Sequence, residues 1–454
     1  MNKLEVEKKL KNNKLPEGWV KVRLDNLGKT YTGLSGKNKE DFGEGKPYIP
    51  YMNIYSNRKI DLHKLEYVKI KSREKQNTAK YRDIFFTTSS ETPDEVGIIS
   101  VLLKKPFQDI YLNSFCFGFR LNNFNSLMPE FASFYLRGCG FRKSILKLAQ
   151  GSTRYNLSKN NLLKIEITLP ISITEQRKIT DILETVDETI EKTDAIIEKY
   201  KRIKQGLMQD LLTRGIDENG QIRCEETHKF KDSPLGRIPE EWEVKRIIDA
   251  IGVKRNLIIA GPFGSNLKVS DYKKSGIPLI RLQNIEENKF INKDIKYISK
   301  KKAKELYYHS FKNGDIVLAK LGIPVGKTCI IPKNLKFGIV VSDVVRIRVF
   351  DEREDKEFIT YILNYNICRK RLNMEIIGTT RPRVNLTQIR SLQLTLPPLP
   401  EQKRIASILS QVDGTIEKEQ KYKQKFEQIK QGLMENLLSG KVRVNHLIKE
   451  GLDR

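Results

Sequence analysis

The chain has 454 residues, of which 39% are hydrophobic and 31% are charged, and its formal net charge is +27. This length exceeds what one hydrophobic core usually supports, so we expect two domains and exclude a wholly disordered chain. No run of 18 apolar residues occurs, and residues 1–14 alternate charges where a signal peptide would carry its apolar segment. We therefore expect an intracellular, cytoplasmic protein that does not contact a membrane.

The excess of basic residues predicts a polyanionic partner. The chain has 83 Lys and Arg against 56 Asp and Glu, which gives a positive field that attracts nucleic acid. The alternative is that a lysine-rich composition serves solubility alone. The five cysteines are scattered without a CxxC pair and the four histidines lie far from them, so we expect neither a zinc site nor a disulfide framework.

The first half of the chain has the pattern of a mixed α/β domain followed by a long helix. Short β-rich runs (DIFFTT from Asp83, GIISVLL from Gly97 and FCFGFRL from Phe115) are separated by Gly and Pro turn signals. After Pro170, apolar residues recur at steps of three and four as far as Leu211, which is typical of an amphipathic helix. We predict a globular domain over residues 1–170 and a spacer helix over residues 171–215.

The second half of the chain repeats the first. The stretch from Glu401 aligns without gaps to the stretch from Glu175 at an offset of 226, and about half of the aligned positions are identical. Upstream anchors repeat at offsets between 223 and 232, among them GSTR at 151–154 and GTTR at 378–381. The repeat predicts a second globular domain over residues 216–397, a second spacer helix over 398–440 and a tail over 441–454.

Each long helix carries an apolar stripe that must be covered by other residues. Because the two stripes have the same pattern, antiparallel pairing of the two helices is the simplest arrangement, and it would place the globular domains at opposite ends. The alternative is that each helix packs only on its own domain. The predicted fold class is α/β, of the α+β kind, with two mixed globular domains joined by two long antiparallel coiled-coil helices and made by tandem duplication.

The usual motifs of DNA-active enzymes are missing from the sequence. GIPVGKT at 322–328 has three residues between its glycines where a phosphate-binding loop needs four. No GxGxxG follows a strand, and no Asn/Asp-Pro-Pro-Tyr/Phe motif of an amino methyltransferase is present. We therefore predict a binding protein that catalyses no reaction itself, and we assign no catalytic residue and no metal ligand.

Four segments together resemble the specificity subunit of Type I restriction-modification systems. They are GPFGSNLKVSDYKKSGIPLIRLQNI from Gly261, GDIVLAKLGIPVG from Gly314, GTTR from Gly378 and PPLPEQKRI from Pro397. The resemblance implies two target recognition domains, each reading one half of a bipartite asymmetric DNA site, with the two helices as a ruler between them. The first copy departs from the pattern, because TYTGLSGKN at 30–38 stands where the second copy has GPFGS.

The same resemblance implies the partners and cofactors. Besides double-stranded DNA, the partners expected are two modification (methyltransferase) subunits and two restriction subunits. S-adenosylmethionine, ATP and magnesium are expected on those partner subunits, and no cofactor is expected in this chain.

The candidate DNA-binding residues lie in Gly-containing segments with basic or amide side chains. Glycine lets the backbone approach phosphate, Lys and Arg neutralise phosphates, Arg pairs with guanine, and Asn can read adenine. The candidates are Ser152, Thr153, Arg154 and Asn156 in the first copy and Gly261, Pro262, Phe263, Gly264, Ser265, Asn266, Arg281, Asn284, Lys320, Arg381, Arg383 and Asn385 in the second. The alternatives are plain β-turns for the glycine loops and capping roles for the asparagines.

Other functions stay open from the sequence. The chain could serve a methyltransferase that has no restriction partner. It could instead be a DNA enzyme with an unrecognised active site, which would modify DNA when incubated alone with S-adenosylmethionine or magnesium. A coiled-coil scaffold without DNA contact would leave the charge of +27 unexplained.

Overall fold

The computed structural model describes residues 15–151, 153–378 and 380–449, with the backbone alone at Lys449. These residues form two compact units: the first contains the residues up to 195 and those from 421 onward, and the second contains residues 196–420. Within the described ranges, no helix is both long enough and apolar enough to cross a membrane. The domain and spacer bounds given above stay a prediction.

Twenty-five strands are described, eleven in the first unit and fourteen in the second. Those of the first unit are β1 (Trp19–Arg23), β2 (Gly28–Thr32), β3 (Phe42–Ile49), β4 (Glu66–Val68), β5 (Ile84–Thr87), β6 (Ser89–Ser90), β7 (Ile99–Val101), β8 (Tyr111–Leu112), β9 (Cys116–Leu121), β10 (Tyr155–Asn156) and β11 (Glu166–Pro170). Those of the second are β12 (Phe230–Lys231), β13 (Ile238–Pro239), β14 (Glu243–Arg246), β15 (Ile258–Ala260), β16 (Ile277–Ile280), β17 (Ile285–Glu286), β18 (Lys289–Phe290), β19 (Lys296–Ile298), β20 (Ser310–Lys312), β21 (Ile316–Ala319), β22 (Thr328–Ile330), β23 (Phe337–Val340), β24 (Val344–Ile347) and β25 (Gln393–Leu396).

Two of the described α-helices are much longer than the rest. The short ones are α1 (Leu24–Leu27), α2 (Tyr51–Ser56), α3 (Pro129–Tyr135), α4 (Cys139–Leu146), α5 (Lys159–Leu163), α7 (Ile247–Ala250), α8 (Lys300–Glu305), α9 (Lys356–Asn364), α10 (Asn366–Met374), α11 (Leu386–Ser391) and α13 (Asn445–Lys449). The long ones are α6 (Ile173–Thr213) and α12 (Leu399–Leu437), so the two predicted long helices are confirmed.

The sheets of the two units repeat the same topology. The first unit has the antiparallel pair β1-β11, the four-stranded sheet β2-β9-β5-β7 and the three-stranded sheet β4-β3-β8. The second has the pair β14-β25 and the four-stranded sheets β15-β24-β21-β22 and β19-β16-β23-β20. Among the described strands, β3 pairs in parallel with β8 in the first unit and β16 pairs in parallel with β23 in the second, and the two pairings occupy the same place in their sheets. This repeated topology confirms the predicted fold class and the internal duplication.

The central strands of the four-stranded sheets are continuous apolar runs because both of their faces are covered. All four residues of β5 (IFFT) and of β21 (IVLA) are buried. In the first unit Phe86 and Phe119 lie in one core with Phe131 of α3. In the second unit Ile316 lies in one core with Phe358 of α9. The equivalent helices therefore cover the equivalent sheets.

In the first unit, the beginning of α6 and the end of α12 pack against each other and against the sheet core. Ile179, Leu183 and Leu437 are buried in that core. Asp187 pairs with Lys430 at 2.5 Å, and Asp194 pairs with Lys423 at 2.7 Å. Because the numbers rise along one helix and fall along the other, the helices are antiparallel here.

In the second unit, the end of α6 and the beginning of α12 make the repeat-related arrangement. Leu211 and Ile405 are buried in one core. Lys204 pairs with Asp413 at 2.5 Å, which is the contact of Asp187 with Lys430 moved by the repeat offset of 226. In each unit, both long helices therefore contact the globular module of that unit and each other.

A buried carboxylate fastens the start of each long helix. At the start of α6, Glu175 accepts hydrogen bonds from Arg443 at 2.7 and 2.9 Å and from the Trp19 indole at 3.4 Å. At the start of α12, Glu401 accepts hydrogen bonds from Arg223 at 2.6 and 3.1 Å and from the Trp242 indole at 3.3 Å. We call these the first and second Glu-Arg-Trp clusters.

Candidate nucleic-acid interface

Strand register brings two of the candidate segments of the second unit to one edge of a sheet. β24 lies between β15 and β21, with Ala260 opposite Val345 and Ala319 opposite Val344. Just beyond these pairs, the Gly261 amide donates to the Val344 carbonyl and the Lys320 amide to the Asp343 carbonyl, both at 3.0 Å. The GPFGSN segment (261–266) and Lys320 therefore lie at the same sheet edge.

The GTTR segment of the second unit, in which Thr379 lies outside the described residues, belongs to a loop fixed beside Lys320. Ile377 and Arg383 pair as an antiparallel bridge that closes the loop. The Val384 amide then donates to the Lys320 carbonyl at 3.0 Å. Arg381 and Arg383 are exposed, whereas Lys320 is half-buried. Burial lowers the pKa of Lys320, Asp343 opposes that shift, and the nearby Arg383 guanidinium adds to it. The edge thus gathers three cationic side chains around one loop.

The glycine that begins GPFGSN is required by a close backbone approach. A Cβ atom on Gly261 would lie 2.2 Å from the carbonyl group of Val341, too close for any other residue. Pro262 is buried, and the loop then projects Phe263, which is 83% exposed. Gly264, Ser265 and Asn266 are exposed as well. The loop can therefore present backbone amides and one aromatic ring to a ligand.

Three other candidates of the second unit make hydrogen bonds within the protein. Arg281 donates from Nη2 to the Asp294 carbonyl at 2.6 Å. The buried Asn284 amide donates to the carbonyls of Ile291 and Lys293, both at 3.0 Å. Asn385 caps α11 by accepting from the Gln388 amide at 2.9 Å. A contact of these three residues with DNA stays a prediction. For Asn385, the structure shows the capping role that the sequence offered as the alternative.

The GSTR segment of the first unit is held by the same kind of backbone contacts as GTTR. Gln150 and Asn156 form the antiparallel bridge that closes it, and the Leu157 amide donates to the Thr88 carbonyl at 2.8 Å. Gly151 has a φ of +134°, a backbone conformation that favours glycine. Thr153, Arg154 and Asn156 are exposed, and Ser152 lies outside the described residues. Thr88 thus occupies the place that Lys320 has in the second unit.

The departure of the first copy from GPFGS does not change the start of the loop. Gly33 follows β2 as Gly261 follows β15, and a Cβ atom on Gly33 would lie 2.1 Å from the Asn113 carbonyl oxygen. Leu34 is buried in the place of Pro262, and its amide donates to the Leu112 carbonyl at 2.7 Å. The close approach of a glycine to the backbone of the neighbouring segment therefore determines how the loop begins in both units, and the residues that follow can differ.

The sequence interpretation missed a cleft beside the GSTR loop, which we call the first-unit cleft. It encloses about 440 Å³ and is lined by Tyr51, Met52, Tyr55, Ser89, Ser90, Glu91, Glu95, Phe115 and Arg154. One signal for it was available, because the segment from Thr88 to Gly97 is three residues longer than its counterpart from Lys320 to Gly326. The aromatic residues of the cleft did not indicate it in the sequence, because a residue such as Tyr51 has the type and spacing that core residues also have.

No group of three or more His, Cys, Asp or Glu side chains is placed to hold a metal ion in the part of the chain that the structure describes. The expectation that cofactors belong to partner subunits stays a prediction.

Comparisons with known proteins agree with this architecture. The family of the type I restriction modification DNA specificity domain matches residues 16–202 and 239–428, once for each repeat. The MjaVIII specificity subunit of Methanocaldococcus jannaschii, a type I restriction enzyme subunit, is 28% identical over 97% of this chain and 96% of its own length.

Two solved structures share the fold. A type I restriction-modification S subunit from M. genitalium has a TM-score of 0.55 at 14% identity and covers 94% of this chain and 97% of its own. A chain from a structure of type I R-M complex assembly and conformational transition has a TM-score of 0.57 at 17% identity, over 94% of this chain and 100% of its own. Because the family match extends over both modules and most of both long helices, this chain belongs to the type I restriction-modification DNA specificity family.

Proposed function

We propose that this chain reads a bipartite, asymmetric DNA site, one half with each module, and directs partner subunits that methylate and cleave DNA. The observation that supports this most is the repeated sheet edge with unlike side chains. Thr88 stands where the second unit has Lys320, and Asn156 where it has Arg383. Equivalent loops with different hydrogen-bonding groups favour different bases, so the two half-sites differ.

The proposed binding combines phosphate contacts with base contacts. Lys and Arg side chains release counterions from the DNA backbone and set the position of the module, so affinity falls steeply with salt. Arg381 and Arg383 project from a loop that two backbone bridges hold in place, so their guanidinium groups are suited to bidentate contact with guanine in the major groove. The chain itself contributes recognition and no catalysis.

The partners we propose are those of a type I system. Two modification subunits would bring S-adenosylmethionine, and two restriction subunits would bring ATP and magnesium. The relatives' names, which include specificity subunits of type I restriction enzymes, support this assignment. We place the assembly in the cytoplasm, where bacterial and archaeal DNA is found.

The ruler role of the helices can be tested through the spacing of the two half-sites. Four residues, about one helical turn, are inserted into both long helices at repeat-related points, after Ala195 and after Lys421. Sequencing of methylated adenines in cells that also carry the partner genes is expected to show both half-sequences unchanged and the gap between them altered. An unchanged gap with normal methylation would refute the ruler, and a symmetric wild-type site would refute the two unlike readers.

A specificity chain for a methyltransferase without a restriction subunit is the second candidate. The match to the specificity family fits it equally well, because the same reading modules serve either assembly. Challenge of cells with unmethylated phage separates the two candidates, since only a system with a restriction subunit lowers the plating efficiency.

A further inference from the structure

The first-unit cleft contains an ionised, pre-oriented carboxylate in the module that should meet DNA. Glu95 accepts hydrogen bonds from the Tyr55 hydroxyl at 2.8 Å and from the Ser90 hydroxyl at 2.7 Å. The Ser90 bond, then the Tyr55 bond, lower the pKa of Glu95, so this carboxylate is charged at neutral pH. Each carboxylate oxygen has a second acceptor position, so the group can accept further hydrogen bonds.

The rest of the cleft is suited to a flat ligand. Tyr51 and Tyr55 stack with their ring centroids 6.2 Å apart and are on one face of α2 with Met52. Met52 is 59% exposed and Phe115 is 55% exposed, although both are large and apolar. Arg154 of the GSTR loop lines the same cleft. Exposed apolar surface, a fixed acceptor and a guanidinium are therefore combined in one concave site.

A carboxylate next to DNA is unfavourable unless it receives a hydrogen bond from the DNA. Phosphates repel it, and in the major groove guanine and thymine offer no amino donor at their edges. Cytosine offers its N4 amino group and adenine its N6 amino group. A fixed acceptor in this place therefore selects a base with an exocyclic amino group and disfavours the other two.

We propose that the first-unit cleft receives the edge of an adenine or a cytosine, with the Glu95 carboxylate accepting a hydrogen bond from the exocyclic amino group. Arg154 at the cleft contacts the adjoining phosphate. The second unit has no equivalent acceptor in its counterpart segment, which presents Ile323 at 86% exposure. The inference rests on the proposed function and adds one specificity-determining residue to it.

The test is a double-mutant cycle between the protein and the DNA. The full chain is assembled with its modification subunits, and its bipartite site is determined by binding selection. At each position except the methylated adenines, adenine is then replaced by purine and cytosine by pyrimidin-2-one, which lack the amino group. Wild type and Glu95→Met are titrated with every duplex. Methionine keeps the length of the side chain and removes both acceptor oxygens.

We expect one position at which removal of the amino group weakens wild-type binding by about tenfold to a hundredfold, as for a good base contact. At that position the same replacement changes binding of Glu95→Met much less, because the acceptor has already been removed. Coupling to purine identifies adenine as the base, and coupling to pyrimidin-2-one identifies cytosine. Asp94→Asn is the matched control, since it removes the same charge from the neighbouring residue, which does not line the cleft, and it should behave as wild type.

Two results would overturn the inference alone. One is wild-type binding that tolerates every amino-group removal in both half-sites, a measurement that does not depend on the folding of any variant. The other is an equal loss for wild type and Glu95→Met at every position. If wild type selects no bipartite sequence at all, the proposed function itself fails, so the two failures are distinguishable.

Discussion

The two modules have the same scaffold and different reading surfaces. After β5 the first module has a ten-residue segment, Thr88–Gly97, that carries Glu91 and Glu95. After β21 the second has the seven-residue segment Lys320–Gly326, with an exposed Ile323. The strands before and after both segments keep the same pairing. The difference teaches that the sheet core limits strand sequences, whereas loops at its edge can vary in length and charge at little structural cost.

The long helices show the opposite behaviour, since about half of their aligned positions are identical. Within each unit, each of these helices packs on the module of that unit and, along the same stretch, on the other helix. A substitution there disturbs two sets of contacts. The repeat-related ion pairs Asp187–Lys430 and Asp413–Lys204 are an example of a contact retained in both copies.

The largest effect should come from breaking the Glu-Arg-Trp clusters, which differ in burial. In the second cluster the Arg223 side chain is 10% exposed, whereas in the first the Arg443 side chain is 25% exposed. Removing one partner of a buried ion pair costs about 3–5 kcal/mol, so we expect that loss for Glu401→Ala and a smaller one for Glu175→Ala. Urea unfolding followed by tryptophan fluorescence measures both, since the two tryptophans of the chain lie one in each cluster.

The exposed Glu218, in the loop after α6, provides a control for the second cluster. Glu218→Ala should leave the free energy of unfolding unchanged within about 0.5 kcal/mol. Equal losses for Glu175→Ala and Glu401→Ala would show that the difference in burial has no energetic consequence.

A smaller effect is expected from removing one guanidinium at the sheet edge. Arg381→Ala should weaken DNA binding by about 1–3 kcal/mol and relax the sequence preference in one half-site. Arg154→Ala, which removes a side chain that we place on a phosphate, should weaken binding less and by the same amount for all sequences. Competition gel shifts with duplexes altered in one half at a time measure both effects. Arg353→Ala, which removes an exposed arginine paired with Asp351, is the control. A uniform loss across all sequences would assign Arg381 to phosphate instead of a base.

The smallest effect concerns the two interhelical ion pairs that the repeat relates to each other, for which it predicts equal strength. Double-mutant cycles for Asp413 with Lys204 and for Asp187 with Lys430 should each give a coupling of about 0.5–1 kcal/mol that decreases with salt. A cycle is needed because Asp413 also accepts from the Tyr361 hydroxyl at 2.8 Å, and Asp187 also pairs with Arg58 at 3.3 Å. Coupling in one pair only would contradict the equivalence of the two helix contacts.

The sequence alone determined the repeat, the two long helices, the mixed modules and the family. These features depend on patterns that are local or recur at a fixed offset: apolar spacing along a helix, turn residues between short strands, and matching segments such as GSTR and GTTR. Local periodicity follows from backbone geometry, so it can be recognised without knowing what lies across the fold. The repeat also relates the contacts between the two long helices, because a pair of residues in contact in one unit has a counterpart pair at the offset of 226 in the other.

The tertiary structure decided which distant residues meet. The sequence treats residues after 440 as a tail, but Val444 is buried in the first-unit core and Arg443 binds Glu175 across 268 positions of the chain. Asn284 has the residue type of a base reader, yet its amide is fully buried among backbone carbonyls. The first-unit cleft joins α2 to loops roughly 40 and 100 residues further along. Such contacts result from the burial of surfaces that are remote in sequence, and no local pattern encodes them.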